Sequence, residues 1–476
     1  MDENPNNEPT IVQTDVGAKD GQDKCPSCGA TDISLNPKTG MLRCNFCRHE
    51  FKAEKIAGMV EDISDLQGEV MGSGTQNIAQ DTKDIITLKC TSCGAEVVID
   101  TAESTQARCH WCRNTLSINQ QIPNGSIPDV VLPFKLTKAE AKKQIEEFVG
   151  KRKFFAHPKF REEFTTDNIM GVYFPYMVVD VNAHASFSGQ GEHETKRYTV
   201  RVGDSTKTYY DADLYEVARD FDLTIDGLTV ESSADKLDKR AKDKTNNIIN
   251  SIMPFDTENA VKWNSNYLKG YSSEKRDTNI EQLKGIVDTQ AKDVARFSAN
   301  ETLKFYDRGV CWNQETLDVK GKQWKAAYLP VWLYSYRQVK GDSSILHYVA
   351  VNARTKETMG SVPIHMPKLI GISALIELIG FILCLIIDFK YKWLLLLVGI
   401  IYYFVMYGKY RNSGARHHHE TETKTNMSNL KKIDNFIKKK TRLSNSRMDG
   451  ANNTKVSGAS VNITDKIVGK LNNLNK

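Results

Sequence analysis

Cysteine is nearly absent from the last three quarters of this 476-residue sequence, and several common catalytic motifs are missing altogether. Only Cys311 and Cys384 lie beyond residue 112, which argues against a disulfide framework there. No G-x-x-x-x-G-K-[ST], H-E-x-x-H, G-x-S-x-G or dinucleotide-binding fingerprint occurs, so no familiar nucleotide-binding or hydrolytic chemistry is indicated. The N-terminus, MDENPNNEPT, lacks the apolar segment of a signal peptide and predicts an acidic, disordered tail over residues 1–23.

The other eight cysteines form four C-x2-C pairs arranged as two matching quartets, the second 65 residues after the first. Each pair can point two thiolates at one ion, and the fifteen-residue insert between pairs is long enough for a β-hairpin. Gly29 and Gly94 permit the positive φ that closes the first turn of each quartet. The predicted ligands are Cys25, Cys28, Cys44 and Cys47 in the first quartet and Cys90, Cys93, Cys109 and Cys112 in the second.

Four thiolates leave no open coordination position, so the quartets predict two structural Zn²⁺ ions; an Fe(Cys)4 redox centre is the alternative with the same ligands. We expect two small β zinc ribbons, at residues 24–53 and 88–120. Segments this short cannot bury a sufficient core, so the metal supplies folding energy, about 10–16 kcal/mol per site. Residues 54–87 predict a helix followed by a flexible linker. The apolar residues that recur at helical intervals are Ile56, Met59, Val60, Ile63 and Leu66.

Two apolar stretches near the C-terminus, residues 369–387 and 392–408, predict a transmembrane hairpin. The first carries a single charge, Glu377, at its centre. A membrane carboxyl group can mark a functional site, but the favoured interpretation is a helix-paired carboxyl group that promotes self-association of the hairpin. The second stretch is short and needs flanking tyrosine and lysine side chains to complete its span.

Charge distribution predicts the orientation of this hairpin. Seven Lys and Arg residues flank the hairpin against two in its loop, which places both termini in the cytosol. The net charge of +5 divides into +10 for residues 409–476 and therefore −5 for residues 1–408. Within this basic cytosolic tail, apolar residues at helical spacing predict an amphipathic helix that binds an anionic membrane surface. They are Leu430, Ile433, Phe436 and Ile437.

Residues 130–365 predict an α+β central domain made of two related halves, 130–250 and 251–365. Thr137 and Glu140 form a capping-box pattern at the start of a helix. The halves are suggested by two echoes, VLPF with IMPF and YFPY with YLPV. The histidines of this domain follow no catalytic pattern and are interpreted as satisfied polar residues. The domain holds His157, His184, His193, His347 and His365, with Glu192 beside one of them.

The stretch CHWCRNTLSINQQIPNGSIPDVVLPF, with YFPYMVVDV, IMPFD and YLPVWLYSY further on, resembles bacterial membrane proteins described as TFIIB-type zinc ribbon-containing proteins. The resemblance covers roughly residues 24–410. It implies cytosolic ribbons, a soluble central domain and an anchor in the bacterial cell membrane, and it brings no assigned activity. A primosomal-helicase label carried by some of these proteins finds no support here, because the phosphate-binding loop is absent.

We therefore expect a multi-pass membrane protein whose zinc ribbons bind or scaffold a cytosolic protein partner. A membrane-tethered nucleic-acid-binding protein is the first alternative, because arginine and aromatic residues flank the knuckles and the tail is basic. The net charge of residues 1–408 argues against it, since phosphate binding needs concentrated positive charge. An enzyme with an unrecognised site in the central domain is the second alternative.

Overall fold

The computed structural model is a mixed α/β protein built around one large, mostly antiparallel sheet. It describes residues 9–14, 25–30, 32–36, 38–52, 59–77, 85–89, 96–100, 106–108, 115–117, 128–166, 169–203, 205–232, 250–268, 271–273, 276, 278–340, 343–386, 392–412 and 417–444.

The described helices and strands are of very unequal length. The helices are α1 (Lys138–Gly150), α2 (Pro158–Glu163), α3 (Ile280–Glu301), α4 (Met366–Ile386), α5 (Val398–Arg411) and α6 (His419–Glu422). The strands are β1 (Thr10–Val12), β2 (Ile33–Asn36), β3 (Met41–Cys44), β4 (Glu50–Phe51), β5 (Gly68–Gly72), β6 (Ile85–Lys89), β7 (Glu96–Asp100), β8 (Gln106–Arg108), β9 (Thr115–Ser117), β10 (Val130–Val131), β11 (Met170–Val202), β12 (Ser205–Glu231), β13 (Val261–Lys262), β14 (Ser272–Ser273), β15 (Gly309–Lys340), β16 (Ser343–Asn352), β17 (Thr358–Gly360) and β18 (Lys424–Ser444).

Three long strands form the centre of the large sheet, whose order is β1-β5-β15-β11-β12-β18. Successive side chains of a strand point to opposite faces, and the odd-numbered residues of β11 from Met177 to Phe187 are buried. They pack against the apolar face of α3, where Leu283, Val287 and Val294 are buried. One hydrophobic core therefore lies between the sheet and α3.

Helix α1 begins at the predicted capping box. The Thr137 N–H donates to Glu140 Oε2 at 3.0 Å, and the Glu140 N–H donates to Thr137 Oγ1 at 3.4 Å, so both bonds of the box are present. Ile145 and Phe148 on the apolar face are buried, also as predicted. They belong to a second core that reaches α2 and the base of the apolar hairpin.

The two YxPx echoes lie side by side in the sheet. Tyr173 of β11 is opposite Pro330 of β15, and Pro175 is opposite Tyr328, in an antiparallel register. A helix precedes each long strand, α1 before β11 and α3 before β15. Two related halves facing each other across a two-fold axis would give this arrangement, and the duplication itself stays a prediction.

Two segments predicted to be unstructured belong to the large sheet. Strand β1 pairs in parallel with β5, and β5 pairs in parallel with β15. Disorder across residues 1–23 is therefore wrong for Thr10–Val12, and a flexible linker is wrong for Gly68–Gly72. The helix expected around Met59–Leu66 is also wrong for its described part, which contains only a 3-10 turn at Ile63–Asp65.

A buried carboxyl group explains why these segments are ordered. Asp129 Oδ1 accepts hydrogen bonds from Thr14 Oγ1 and, at 2.8 Å, from the Gly74 N–H. Its Oδ2 accepts from the Ala326 N–H at 2.8 Å. Burial raises the pKa of Asp129 to about 6, although these donors oppose the shift. One side chain thus joins three segments distant in sequence, and local composition does not reveal such a partner.

The basic tail forms a strand instead of the predicted amphipathic helix. Strand β18 pairs antiparallel with β12, from Asp226 opposite Lys424 to Tyr209 opposite Ser444. The free edge of β12 offers backbone hydrogen bonds that a surface helix would leave unused, and this tertiary pairing overrides the helical spacing. Residues 424–444 are therefore part of the fold and not a separate tail.

We predict that Asp434→Ala loosens this strand. Asp434 lies 2.9 Å from the guanidinium group of Arg219, whose side chain is only 2% exposed, and it also accepts from Tyr306 Oη at 2.6 Å. Arg219 keeps its bonds to Thr302 Oγ1 and the Ala218 carbonyl, so the loss in free energy of unfolding should be about 1–3 kcal/mol. Limited trypsin digestion should cut β18 faster in the variant. The exposed-residue control Lys438→Ala should keep wild-type stability, and equal digestion of wild type and Asp434→Ala would contradict the prediction.

Candidate metal centre

The first two cysteines of the sequence are held by a tight turn. The Gly29 N–H donates to the Cys25 carbonyl at 2.8 Å, and the Cys25 N–H donates to the Ala30 carbonyl at 2.8 Å. Gly29 has a φ of +70°, a conformation that costs glycine little, as the sequence predicted. The turn thereby directs Cys25 and Cys28 to the same side.

The second pair uses the same turn with a different residue. The Arg48 N–H donates to the Cys44 carbonyl at 2.9 Å, and the Cys44 N–H donates to the His49 carbonyl at 3.0 Å. Arg48 has a φ of 63°, which costs a non-glycine residue about 1–2 kcal/mol. Sequence reasoning missed this position, although it follows its cysteine pair as Gly29 follows the first. A bound ion that requires the turn would offset the cost.

A β-hairpin brings the two turns together. Strands β2 and β3 pair antiparallel, with Ile33 opposite Cys44, as expected for the insert between the pairs. Next to this hairpin, the Asn45 N–H donates to the Asp32 carbonyl at 2.8 Å and its side-chain amide donates to Asp32 Oδ1 at 3.0 Å. The second turn is therefore tied directly to the start of the hairpin.

The four sulfur atoms converge on one point. The Sγ atoms of Cys25 and Cys47 are 3.6 Å apart, as are those of Cys28 and Cys44, and all four lie within 4.8 Å of one another. A disulfide would need about 2.05 Å, whereas sulfurs around a tetrahedral ion with bonds of about 2.3 Å lie about 3.8 Å apart. This cluster could therefore hold a metal ion.

The module built from residues 25–52, here called the first cysteine module, is docked on the rest of the protein. Cys25 and Cys44 are buried and belong to the same core as Tyr267 and Leu268, whereas Cys28 and Cys47 are exposed. One side of the metal cluster thus faces the central domain, and the other side faces solvent.

The second predicted quartet, Cys90, Cys93, Cys109 and Cys112, lies outside the described residues. The described strands around it form two separate two-stranded sheets, whereas β2, β3 and β4 of the first module form one sheet. Strands β6 and β7 pair from Lys89 opposite Glu96, on either side of the first two cysteines. Strands β8 and β9 pair from Arg108 opposite Thr115, on either side of the last two. One cysteine cluster is therefore seen in the described part of the chain, where two were predicted in the whole.

Two apolar helical segments follow the central domain, as predicted. Met366–Ile386 and Lys392–Arg411 are long and apolar enough to cross a membrane. Most of their side chains are exposed, unlike those of a core helix in a soluble protein. The second segment begins with a 3-10 turn over Lys392–Leu397 and continues as α5.

Glu377 is hydrogen-bonded inside the hairpin. The Gly399 N–H, near the start of α5, donates to Glu377 Oε2 at 2.8 Å, where the helix has no capping side chain of its own. A Cβ atom on Gly399 would lie 2.4 Å from the Ser373 carbonyl oxygen, so only glycine allows the helices this close. The carboxyl group therefore has a partner within one chain and does not need a second copy.

The histidines of the central domain are dispersed among polar partners. His184 Nδ1 lies 3.0 Å from Asp222 Oδ1 and its Nε2 lies 3.1 Å from Asp220 Oδ2, and these bonds raise its pKa. His193 Nδ1 lies 3.0 Å from the Phe305 carbonyl. Neighbouring Glu192 is buried, accepting from Lys440 Nζ at 2.9 Å. Among the residues that the structure describes, the Cys25–Cys47 cluster is the one group with metal-ligand geometry.

No protein-family model, curated protein or solved structure matches the chain.

We predict that Cys44→Ser removes one equivalent of bound metal from the purified full-length chain. The substitution deletes one of four converging ligands, and structural sites with three thiolates and a hydroxyl bind much more weakly. Elemental analysis measures the loss. The single cysteine of β15 provides a matched control, because Cys311→Ser removes a thiol remote from the cluster and should leave the metal content unchanged. An unchanged content in Cys44→Ser would rule out the assignment.

For the hairpin, we predict opposite effects of two substitutions at Glu377. Glu377→Gln keeps an oxygen acceptor for the Gly399 N–H, whereas Glu377→Leu leaves this N–H unpaired at a cost of about 1–3 kcal/mol. The leucine variant should therefore denature at lower temperature in detergent. Both variants should keep the wild-type oligomeric state in crosslinking. Loss of a crosslinked dimer in Glu377→Leu alone would instead support the self-association hypothesis.

Proposed function

We propose that this protein is a membrane-anchored zinc-ribbon protein whose first cysteine module presents a binding surface to a protein partner in the cytosol. Zinc is the ion that we propose, because four cysteine ligands that leave no open position, two of them packed in the core, are typical of structural zinc sites. A second zinc ion at Cys90, Cys93, Cys109 and Cys112 completes the proposal. Membership of the bacterial ribbon-containing membrane proteins is part of the same proposal.

The observation that carries the binding role is the exposure of Phe46. This ring lies between the ligands Cys44 and Cys47 and is 80% exposed, the largest value among the exposed large apolar side chains described. Arg48 belongs to the same turn. An aromatic ring and an arginine on a rigid turn are the residue types enriched at binding hot spots. Docking of the opposite side of the module leaves this tip free for a partner.

The way the hairpin joins the domain supports anchoring on one side of the membrane. Before the hairpin, Ile364 bridges to Ala156; after it, β18 pairs along β12. Both ends of the hairpin therefore enter the same folded unit, and one unit cannot lie on two sides of a bilayer. The Lys and Arg excess next to the spans favours the cytosolic side.

The nucleic-acid alternative loses part of its basis, because lysines of the tail are paired with acids of the same sheet. Lys440 contacts Glu192 at 2.9 Å, and Lys431 lies 3.6 Å from Asp220. Charges used in this way contribute less to phosphate binding. The enzyme alternative has no converging set of catalytic side chains among the described residues.

We predict that Phe46→Ala weakens partner capture without loss of metal. The full-length protein would be crosslinked in intact membranes and purified, and proteins enriched by wild type would be compared with those enriched by the variant. Elemental analysis should find about two equivalents of zinc in both. Phe305→Ala, at an exposed ring remote from the module, is the matched control. Equal capture by Phe46→Ala and wild type would overturn the binding role, and nuclease-sensitive RNA or DNA in the eluate would favour the first alternative.

Membrane topology is tested separately. A reporter enzyme that is active only outside the cytosol should stay inactive when fused at the N-terminus or after residue 476. Fusion of the same reporter into the loop after Ile386 should give activity, because this loop crosses to the far side. Activity of either terminal fusion would contradict the cytosolic placement.

A further inference from the structure

A short loop between α1 and α2, Lys151–Phe155, lies against both ends of the apolar hairpin. At the start of α4, Lys368 Nζ donates to the Phe154 carbonyl at 2.8 Å. At the end of α5, the Phe155 N–H donates to Tyr410 Oη at 2.9 Å. The loop is therefore fixed at the level where the hairpin leaves the folded domain.

The loop exposes an aromatic ring at this level. Phe154 is 59% exposed, whereas the next ring, Phe155, is buried against Tyr402 and Tyr410. The Lys368 ammonium group lies 3.8 Å from the centre of the Phe154 ring, which leaves the rest of the ring open. Of these two adjacent residues, Phe155 therefore anchors the loop in the core and Phe154 is exposed.

Positive charge surrounds the exposed ring. Lys151, Lys153 and Lys409 are exposed, and Lys151 forms an exposed ion pair with Glu147 at 2.7 Å. Arg152 points inwards instead. Its guanidinium group donates to the Lys409 carbonyl at 3.1 Å and to Asn412 Oδ1 at 2.9 Å, which ties the loop to the end of α5.

We propose that Lys151–Phe154 is a second membrane contact, in which Phe154 enters the interfacial layer and the lysines bind the headgroups of anionic phospholipids. The inference rests on the proposed membrane insertion of the hairpin. Aromatic rings and lysines are the residues that anchor proteins at this depth, and α5 ends in the same way with Tyr407 beside Arg411. An exposed ring held at the base of a membrane hairpin has lipid as its nearest apolar phase.

The test places a photo-crosslinking amino acid, p-benzoylphenylalanine, at single positions of the full-length protein in lipid nanodiscs. Position 154 reports on the loop. Phe404, on α5 and 60% exposed, reports on insertion of the hairpin, and Phe305, 51% exposed beside His193, is the control for an exposed ring on the domain. Crosslinked phospholipid is detected by mass spectrometry. We expect lipid adducts at positions 404 and 154 and none at position 305.

The charge contribution is measured in nanodiscs of neutral lipid alone and of neutral lipid mixed with phosphatidylglycerol. Adduct yield at position 154 should rise with the anionic lipid, and Lys151→Glu with Lys153→Glu should lower that gain at least about fivefold, which corresponds to about 1 kcal/mol near the surface. The same double reversal at Lys438 and Lys439 of β18 should have no effect.

The outcomes separate the two proposals. Adducts at position 404 but not at position 154 would overturn the loop contact and leave the anchor intact, whereas their absence at position 404 would remove the anchor as well. If the adduct yield at position 154 changed neither with the anionic lipid nor with the double lysine reversal, the headgroup interaction would be rejected.

Discussion

The fold depends on a strand pair of opposite charge. Strand β12 carries seven acidic and two basic residues, and β18 carries seven basic and one acidic. Without β18 the acidic edge of β12 would stay open, with unpaired backbone groups and mutual repulsion. Exposed ion pairs such as Lys431 with Asp220 contribute little individually, but they favour this partner and this direction. The buried Arg219 then fixes the strand through Asp434. The division of net charge between the two parts of the sequence is thus the signature of an internal contact.

This pairing also explains which parts of the fold the sequence predicts. Features that depend on residues close in sequence could be predicted: the capping box of α1, the hairpin between the cysteine pairs, and the apolar segments. Features set by distant partners were not. The spacing of Leu430, Ile433 and Phe436 fits a helix, but these residues occupy a strand because β12 offers an edge 200 residues earlier in the chain. Strands β1 and β5 escaped prediction for the same reason, since Asp129 joins them from elsewhere.

The metal cluster shows the same division. Four cysteines at fixed spacing predict their own convergence, because thiolate chemistry leaves few other uses for them. The sequence could not show which side of the cluster would face solvent. That depends on residues such as Tyr267 and Leu268, more than 200 residues away, which belong to the same core as Cys25 and Cys44. It also left Arg48 unnoticed, although its place after the second cysteine pair matches that of Gly29 and the positive φ was thus open to prediction.

The first cysteine module and the apolar hairpin are both attached to the central domain, and this limits how the module can move relative to the hairpin. The hairpin is held at both ends, by Lys368 on the Phe154 carbonyl and by Tyr410 under the Phe155 N–H, and it is closed internally by Glu377 on Gly399. A hairpin on a flexible linker would let the domain tumble over the membrane. Here these side-chain-to-backbone bonds restrict rotation between hairpin and domain, so in the proposed membrane anchoring the exposed Phe46 would keep a fixed orientation relative to the bilayer. A partner that is itself bound to the membrane would then meet this ring with much of its orientational entropy already lost, and preorganisation of this kind strengthens binding without any additional contact.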